Sequence, residues 1–170
     1  MRKYIFGFYL LILGLASSAQ GYNPDSVSVM VDKAAQLQKK GEYVKALIGF
    51  ERALFIADSI KDNPSIYKTI VNIGSLFYEW DDIQKAKTYY KKALDIALIM
   101  KDKKILAGAY NNIGVIISEE NNWDSSLIYY KKALFIYEEL NDSAYLAGTI
   151  NNIGNVYVFK EDFEKSIHVV

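Results

Sequence analysis

Asn-Ile-Gly stands at residues 72–74, 112–114 and 152–154, a step of 40 residues each time. Tyr89-Tyr90-Lys91-Lys92-Ala93-Leu94 returns at the same step as Tyr129-Tyr130-Lys131-Lys132-Ala133-Leu134. Few architectures accept such a fixed period. A unit of this size cannot bury its apolar face alone, so successive units must stack and share one core.

The pattern inside each period is helical. Asn23-Pro24 supplies a capping side chain and then a proline, whose missing N–H costs nothing at a helix start. Val27, Met30, Val31, Ala34 and Leu37 follow at three- and four-residue steps, which makes one buried stripe. Gly41 closes this first helix. Further helices are expected at about 43–60, 64–79, 82–100, 103–120, 123–140 and 143–160, with an eighth starting near Asp162. The second is broadly apolar and is expected to be sandwiched. No stretch alternates with period two, so no strand is expected. Each period is therefore a helical hairpin, with units at about 24–63, 64–102, 103–141 and an incomplete 142–170.

Phased small and large residues complete the pattern. Ile73-Gly74 is followed by Phe77, Ile113-Gly114 by Ile117, and Ile153-Gly154 by Tyr157. In the second helices Ala46, Ala86, Ser126 and Ser166 precede Phe50, Tyr90, Tyr130 and Val170 by four residues, and Ala53, Ala93 and Ala133 come three after the large residue. Glycine inside a helix costs ~1 kcal/mol relative to alanine, so glycines at one phase point to a close crossing of axes. Gly74, Gly114, Gly154, Ala86, Ala93 and Ala133 are the expected packing residues.

These hairpins resemble the tetratricopeptide repeat. The resemblance covers about residues 24–170 and implies an all-α, right-handed α-solenoid of about three and a half repeats. Two features depart from the family: the period is 40 rather than 34, and Asp58, Leu98 and Glu138 replace the proline that closes the second helix. Both lengthen the second helix by more than a turn.

The first twenty residues are of another kind. Arg2 and Lys3 precede an unbroken apolar or glycine run, Tyr4 to Leu15, and then Ala16-Ser17-Ser18-Ala19. That is the layout of a secretory signal peptide over residues 1–19, and the apolar run is short of the ~20 residues that span a bilayer. A periplasmic or extracellular protein is expected, with an uncleaved N-terminal anchor as the alternative. Cleavage after Ala19 leaves 18 basic against 20 acidic residues. The chain has no cysteine, so packing alone must hold the domain at 20–170.

Charge and composition set aside most chemistries. Basic and acidic residues number 20 each, with no basic cluster suited to nucleic acid. His168 is the single histidine, so a His/Cys metal site and a serine–histidine nucleophile both lack their parts. Asp81-Asp82, Glu119-Glu120 and Glu138-Glu139 are adjacent pairs in or near turns, where side chains do not face each other. No enzyme and no cofactor are expected. In Tyr-Tyr-Lys-Lys the second tyrosine is read as core and the lysines as solvated.

The resemblance places first helices on a concave face. Asn72, Asn111, Asn112, Asn151, Asn152 and Asn155 recur there, with Lys68 as a cation. Side-chain amides can pair with an extended peptide backbone, as the resemblance implies. The other reading is a solvated face or braces between helices. The family's carboxylate clamp is not expected, because Val31, Gly108 and Asn112, or Val71, Gly148 and Asn152, stand where cations would be needed. The expectation is thus an exported interaction scaffold that binds a protein or peptide. The alternative is the sensory input domain of a truncated histidine kinase or transcriptional regulator. Ile167, Val169 and Val170 leave an apolar stripe at the last repeat, which suggests further repeats or self-association there.

Overall fold

The computed structural model describes residues 21–167, and side-chain surroundings as far as residue 161. The export signal expected at 1–19 and residues His168, Val169 and Val170 lie outside the described residues, as do the side chains of Ser166 and Ile167. Seven helices and no strand occur among the described residues: α1 (Pro24–Lys39), α2 (Tyr43–Ser59), α3 (Asn63–Glu79), α4 (Ile83–Met100), α5 (Lys103–Glu119), α6 (Trp123–Glu139) and α7 (Ser143–Ile167). The fold is all-α, as expected.

The turns obey a rule finer than the 40-residue period. Gly41, Lys61, Asp81, Lys101, Asn121 and Asn141 all have φ between 52° and 76°, one residue in every 20. At Gly41, Lys61, Asp81, Asn121 and Asn141 the turn residue donates its N–H three residues back, and the next residue donates five back, as at Asp82 N to Phe77 O, 2.9 Å. This pair of bonds caps the carbonyl end of a helix with one left-handed residue. The residue after it then starts the next helix. Asp82, Asp102 and Asn122 accept from the backbone N–H three residues on, at 3.1, 3.0 and 3.3 Å. The acidic pair Asp81-Asp82 is therefore a turn residue followed by a cap.

One expected turn is missing. The rule places it at Glu161-Asp162, but α7 continues to Ile167 without a break. A left-handed residue with a Cβ costs ~1–2 kcal/mol, a cost met at Lys61 and Lys101, and after Glu161 no following helix packs back among the described residues to offset it. The helix expected to start near Asp162 is thus the end of α7.

The chain divides inside α3, at Leu76/Phe77, into two compact units. In the first, α1 packs on α2. Val27, Val31, Ala34, Ala46, Phe50, Ala53 and Ala57 are essentially solvent-free. Burying a side chain such as Phe50 contributes ~1.5–3 kcal/mol. Ala34 occupies the phase that holds glycine in later repeats, and Gly49 compensates: a Cβ added there would stand 3.0 Å from the Ala34 Cβ. The sandwiching expected of α2 is partial, since Val44 and Ile48 are 62% and 61% exposed.

In the second unit α5 packs on α4, α6 and α7, and α6 packs on α7. Two clusters hold it. Ala107, Ala133 and Tyr137 are joined by Tyr110, Ile136 and Leu146. Leu127, Tyr130 and Val156 are joined by Val115, Trp123 and Ile153. Ala86, Ala93 and Ala133 are buried, as are Tyr90 and Tyr130, while the lysines that follow those tyrosines are exposed.

Candidate functional site

The candidate binding residues lie on first helices of the hairpins, α3 in one unit and α5 and α7 in the other. In the first unit the Lys68 Nζ is 2.8 Å from Asp32 Oδ1 on α1. Both groups are about half exposed, so the pair adds little stability but neutralises the expected cation. The Asn72 Nδ2 donates to the Lys68 carbonyl, 2.9 Å away and one turn earlier in its own helix. Gln38 is buried and donates to the Ser75 Oγ at 3.5 Å.

The second unit brings two of the expected asparagines, Asn111 and Asn152, into one network with Thr149. Asn111 Oδ1 accepts from Asn152 Nδ2 at 3.2 Å and from Thr149 Oγ1 at 3.4 Å. Thr149, buried, also donates to the Tyr145 carbonyl. Asn111 and Asn152 thus brace α5 to α7, which is the second of the two readings open to them. Asn112 is half-buried beside the brace, and Asn151 and Asn155 are exposed. An amide carries two donor hydrogens and an acceptor with two lone pairs, so Asn152 keeps one donor and its acceptor, and Asn111, whose oxygen already accepts two bonds, keeps its donors.

The packing glycines differ from one another. Gly74 is buried. A Cβ on Gly114 would lie 2.6 Å from Tyr130 Cε1 and 2.7 Å from its Cδ1, so α6 rests its ring directly on the α5 backbone. At Gly154 the expected close crossing is not made: a Cβ there would meet nothing within 4 Å. The hairpin partner that would cross it is not formed among the described residues, because α7 runs on through residue 161.

Sequence reasoning missed the polar links between hairpins. Tyr78 donates to Glu119 at 2.7 Å, which, with burial, pushes its pKa up to about 12. Lys87 contacts both oxygens of Glu120 at 2.6 Å and holds that carboxyl below its ordinary value. Lys103 pairs with Glu139 and Lys104 with Asp142, at 2.8 and 2.7 Å. The pair Glu119-Glu120 is thus tied up between hairpins. A separation of 33 to 41 residues between partners was the available signal. Among the described residues no group of His, Asp and Glu is arranged to hold a metal ion, and no helix is long and apolar enough to cross a membrane.

Residues 25–98 match the tetratricopeptide repeat. The match covers the first two hairpins, and solved structures with a similar fold cover most of the chain. BtubC (BKLC) from P. vanneervenii superposes with a TM-score of 0.74 at 24% identity, over 89% of this chain and 63% of that one. Aspartyl phosphate phosphatase F from Bacillus subtilis gives 0.72 at 15% identity, over 85% of this chain and 38% of that one. The N-terminal domain of stress-induced protein-1 (STI-1) from C. elegans gives 0.59 at 15% identity, over 80% and 99%. The chain thus spans less than two thirds of the first two structures it matches. These likenesses concern the fold alone. No curated protein matches the chain.

Proposed function

We propose that this tetratricopeptide-type chain is an exported, non-enzymatic scaffold that binds an extended segment of a protein partner. The observation that carries the reading is the amide set on α5 and α7. Asn111 and Asn152 are locked to each other, which fixes their unused donors and acceptors in space. Asn112, Asn151 and Asn155 stand around them on the same pair of helices. A row of pre-positioned amides suits the alternating N–H and C=O groups of a peptide backbone, and fixing them beforehand lowers the entropy cost of binding. Lys68, already neutralised by Asp32, adds no charge selectivity to that reading.

Export rests on the layout of residues 1–19. Edman sequencing of the protein from its native host tests it, with a new terminus near Gln20 expected and an intact Met1 refuting cleavage. The binding reading is tested by selecting peptides from a random display library on the parent protein. The winners are then measured against Asn112→Ala/Asn151→Ala/Asn155→Ala. Those residues lie outside the brace, so the fold is retained. Loss of about tenfold in affinity is expected for two or three lost hydrogen bonds. Undiminished binding would remove the amides from the site.

A second reading keeps the same fold as the sensory input domain of a signalling protein. It is favoured by α7, where Ile150, Tyr157 and Val158 are each more than half exposed at i, i+7 and i+8, with bare Gly154 between them. That face suits a further repeat or a second copy. Equilibrium sedimentation of the parent and of Tyr157→Ser separates self-association from a monomer.

A further inference from the structure

A different face of the second unit carries an open groove of about 550 Å³ that the amide set does not touch. Leu106 and Tyr110 of α5 and Ile136 of α6 line it, with Ile128 and Phe135 of α6 beside them. Ile128 is 55% and Phe135 61% exposed, although both are large and apolar. The polar side chains among the lining, apart from the Tyr110 hydroxyl, are the exposed Lys131 and Lys132. Lys132 Nζ sits 5.3 Å from the ring centres of both Tyr110 and Tyr129, which holds one cation over the groove edge. No carboxylate lines it among the described residues.

Repeat packing does not require this combination. One period earlier the corresponding positions hold Thr88 and Asp95, with Lys91-Lys92 kept. Two periods earlier they hold Ile48 and Phe55, but the cations become Glu51-Arg52. The hairpin α5–α6 is thus the one complete hairpin to join an exposed apolar pair to two adjacent lysines and no acid. Exposed apolar side chains beside one sign of charge mark a surface for a partner of the opposite sign.

We propose that the α5–α6 groove docks an acidic amphipathic helix of a partner protein. Its apolar residues lie between Ile128 and Phe135, and its carboxylates meet Lys131 and Lys132. A helix presents side chains at i, i+3 and i+7 along one face, and Ile128 and Phe135 have the matching seven-residue spacing. Two adjacent lysines beside an apolar seam between two helices suit a single helix, whereas a lipid surface would call for more cations.

The probe is a synthetic helical peptide with leucines at i, i+3 and i+7 flanked by glutamates. Its counterpart has lysines in place of the glutamates. Fluorescence anisotropy on the full chain is expected to give at least about tenfold tighter binding of the acidic peptide, weakening as salt is raised. Phe135→Ser is expected to abolish binding, and Lys131→Glu/Lys132→Glu to reverse the preference. Both variants alter exposed side chains, and far-UV circular dichroism checks their folding. The Asn112→Ala/Asn151→Ala/Asn155→Ala variant is expected to bind the acidic probe as the parent does, which separates this groove from the amide site. Equal binding of the two peptides, binding of neither, or binding retained by Phe135→Ser would each overturn the proposal. So would co-sedimentation with phosphatidylglycerol vesicles in the absence of peptide binding.

Discussion

Gly114 and Gly154 share a motif and a phase but not an environment, and that difference predicts opposite responses to one methyl group. In Gly114→Ala the new Cβ falls 2.6 Å from Tyr130 Cε1, 2.7 Å from Cδ1 and 3.0 Å from Cζ. Those atoms belong to a ring that is 3% exposed, so it has no open space to swing into. Overpacking of this kind costs ~1–3 kcal/mol, while exchanging a helical glycine for alanine returns ~1 kcal/mol. The net for Gly114→Ala is a loss of ~0–2 kcal/mol. In Gly154→Ala the Cβ meets nothing, so the propensity gain of ~1 kcal/mol stands alone. Because that gain is common to both variants, the difference between them isolates the crossing, at ~1–3 kcal/mol. For a chain of this length 1 kcal/mol moves the melting temperature by ~2–4 °C. Thermal denaturation of the two purified variants should therefore separate them by several degrees on opposite sides of the parent, or with Gly114→Ala at the parent value. If Gly114→Ala melts as high as Gly154→Ala, the α5–α6 contact is not the tight crossing described. Tyr130→Leu combined with Gly114→Ala should recover part of the loss, since neighbouring sites of this kind couple.

The turns predict a gain. Lys61 and Lys101 hold φ of 56° and 58°, where a Cβ is disfavoured, so Lys61→Gly and Lys101→Gly should each stabilise by up to ~1 kcal/mol in urea titrations, and an unchanged or lower midpoint would contradict the turn rule. Alkaline pH predicts a loss. The hydrogen bond to Glu119 raises Tyr78 to about 12 and burial raises Tyr137 to about 12, whereas an unfolded phenol titrates near ~10. Their contribution is full below pH ~10 and lost as pH rises through about 12. The urea midpoint should accordingly fall between those limits, and fall less steeply in Tyr78→Phe.

Much of the fold was legible because spacing survives without any knowledge of contacts. The phase of Ile-Gly and of Ala-Leu gave hairpins, helix ends and the burial of Tyr90 and Tyr130. The turn rule was harder to see, because its left-handed position accepts Gly41, Lys61, Asp81, Lys101, Asn121 and Asn141 alike. Only the capping residue after it keeps a chemical identity, as Glu, Asp or Asn. The missed turn at Glu161 follows from the same variability: the cap Asp162 is present, but the residue before it stays helical. For the candidate site, sequence placed the asparagines on first helices. It could not show that Lys68 is spent on Asp32, or that Asn111 joins Asn152 across 41 residues. Ile128 and Phe135 also escaped, since an apolar residue on a helix is expected inside until its neighbours are known.

The left-handed residue at every twentieth position makes this chain intolerant of small changes in length. Each residue of a helix advances its side chain by about 100° around the axis. Deleting one residue from α5, between the turns at Lys101 and Asn121, would rotate Gly114 away from Tyr130 while leaving both turns in place. The chain could then keep its reversals or its crossings, but not both. A deletion or insertion of 40 residues preserves the two together. A lineage of such proteins can therefore change in length by whole hairpins far more readily than by single codons.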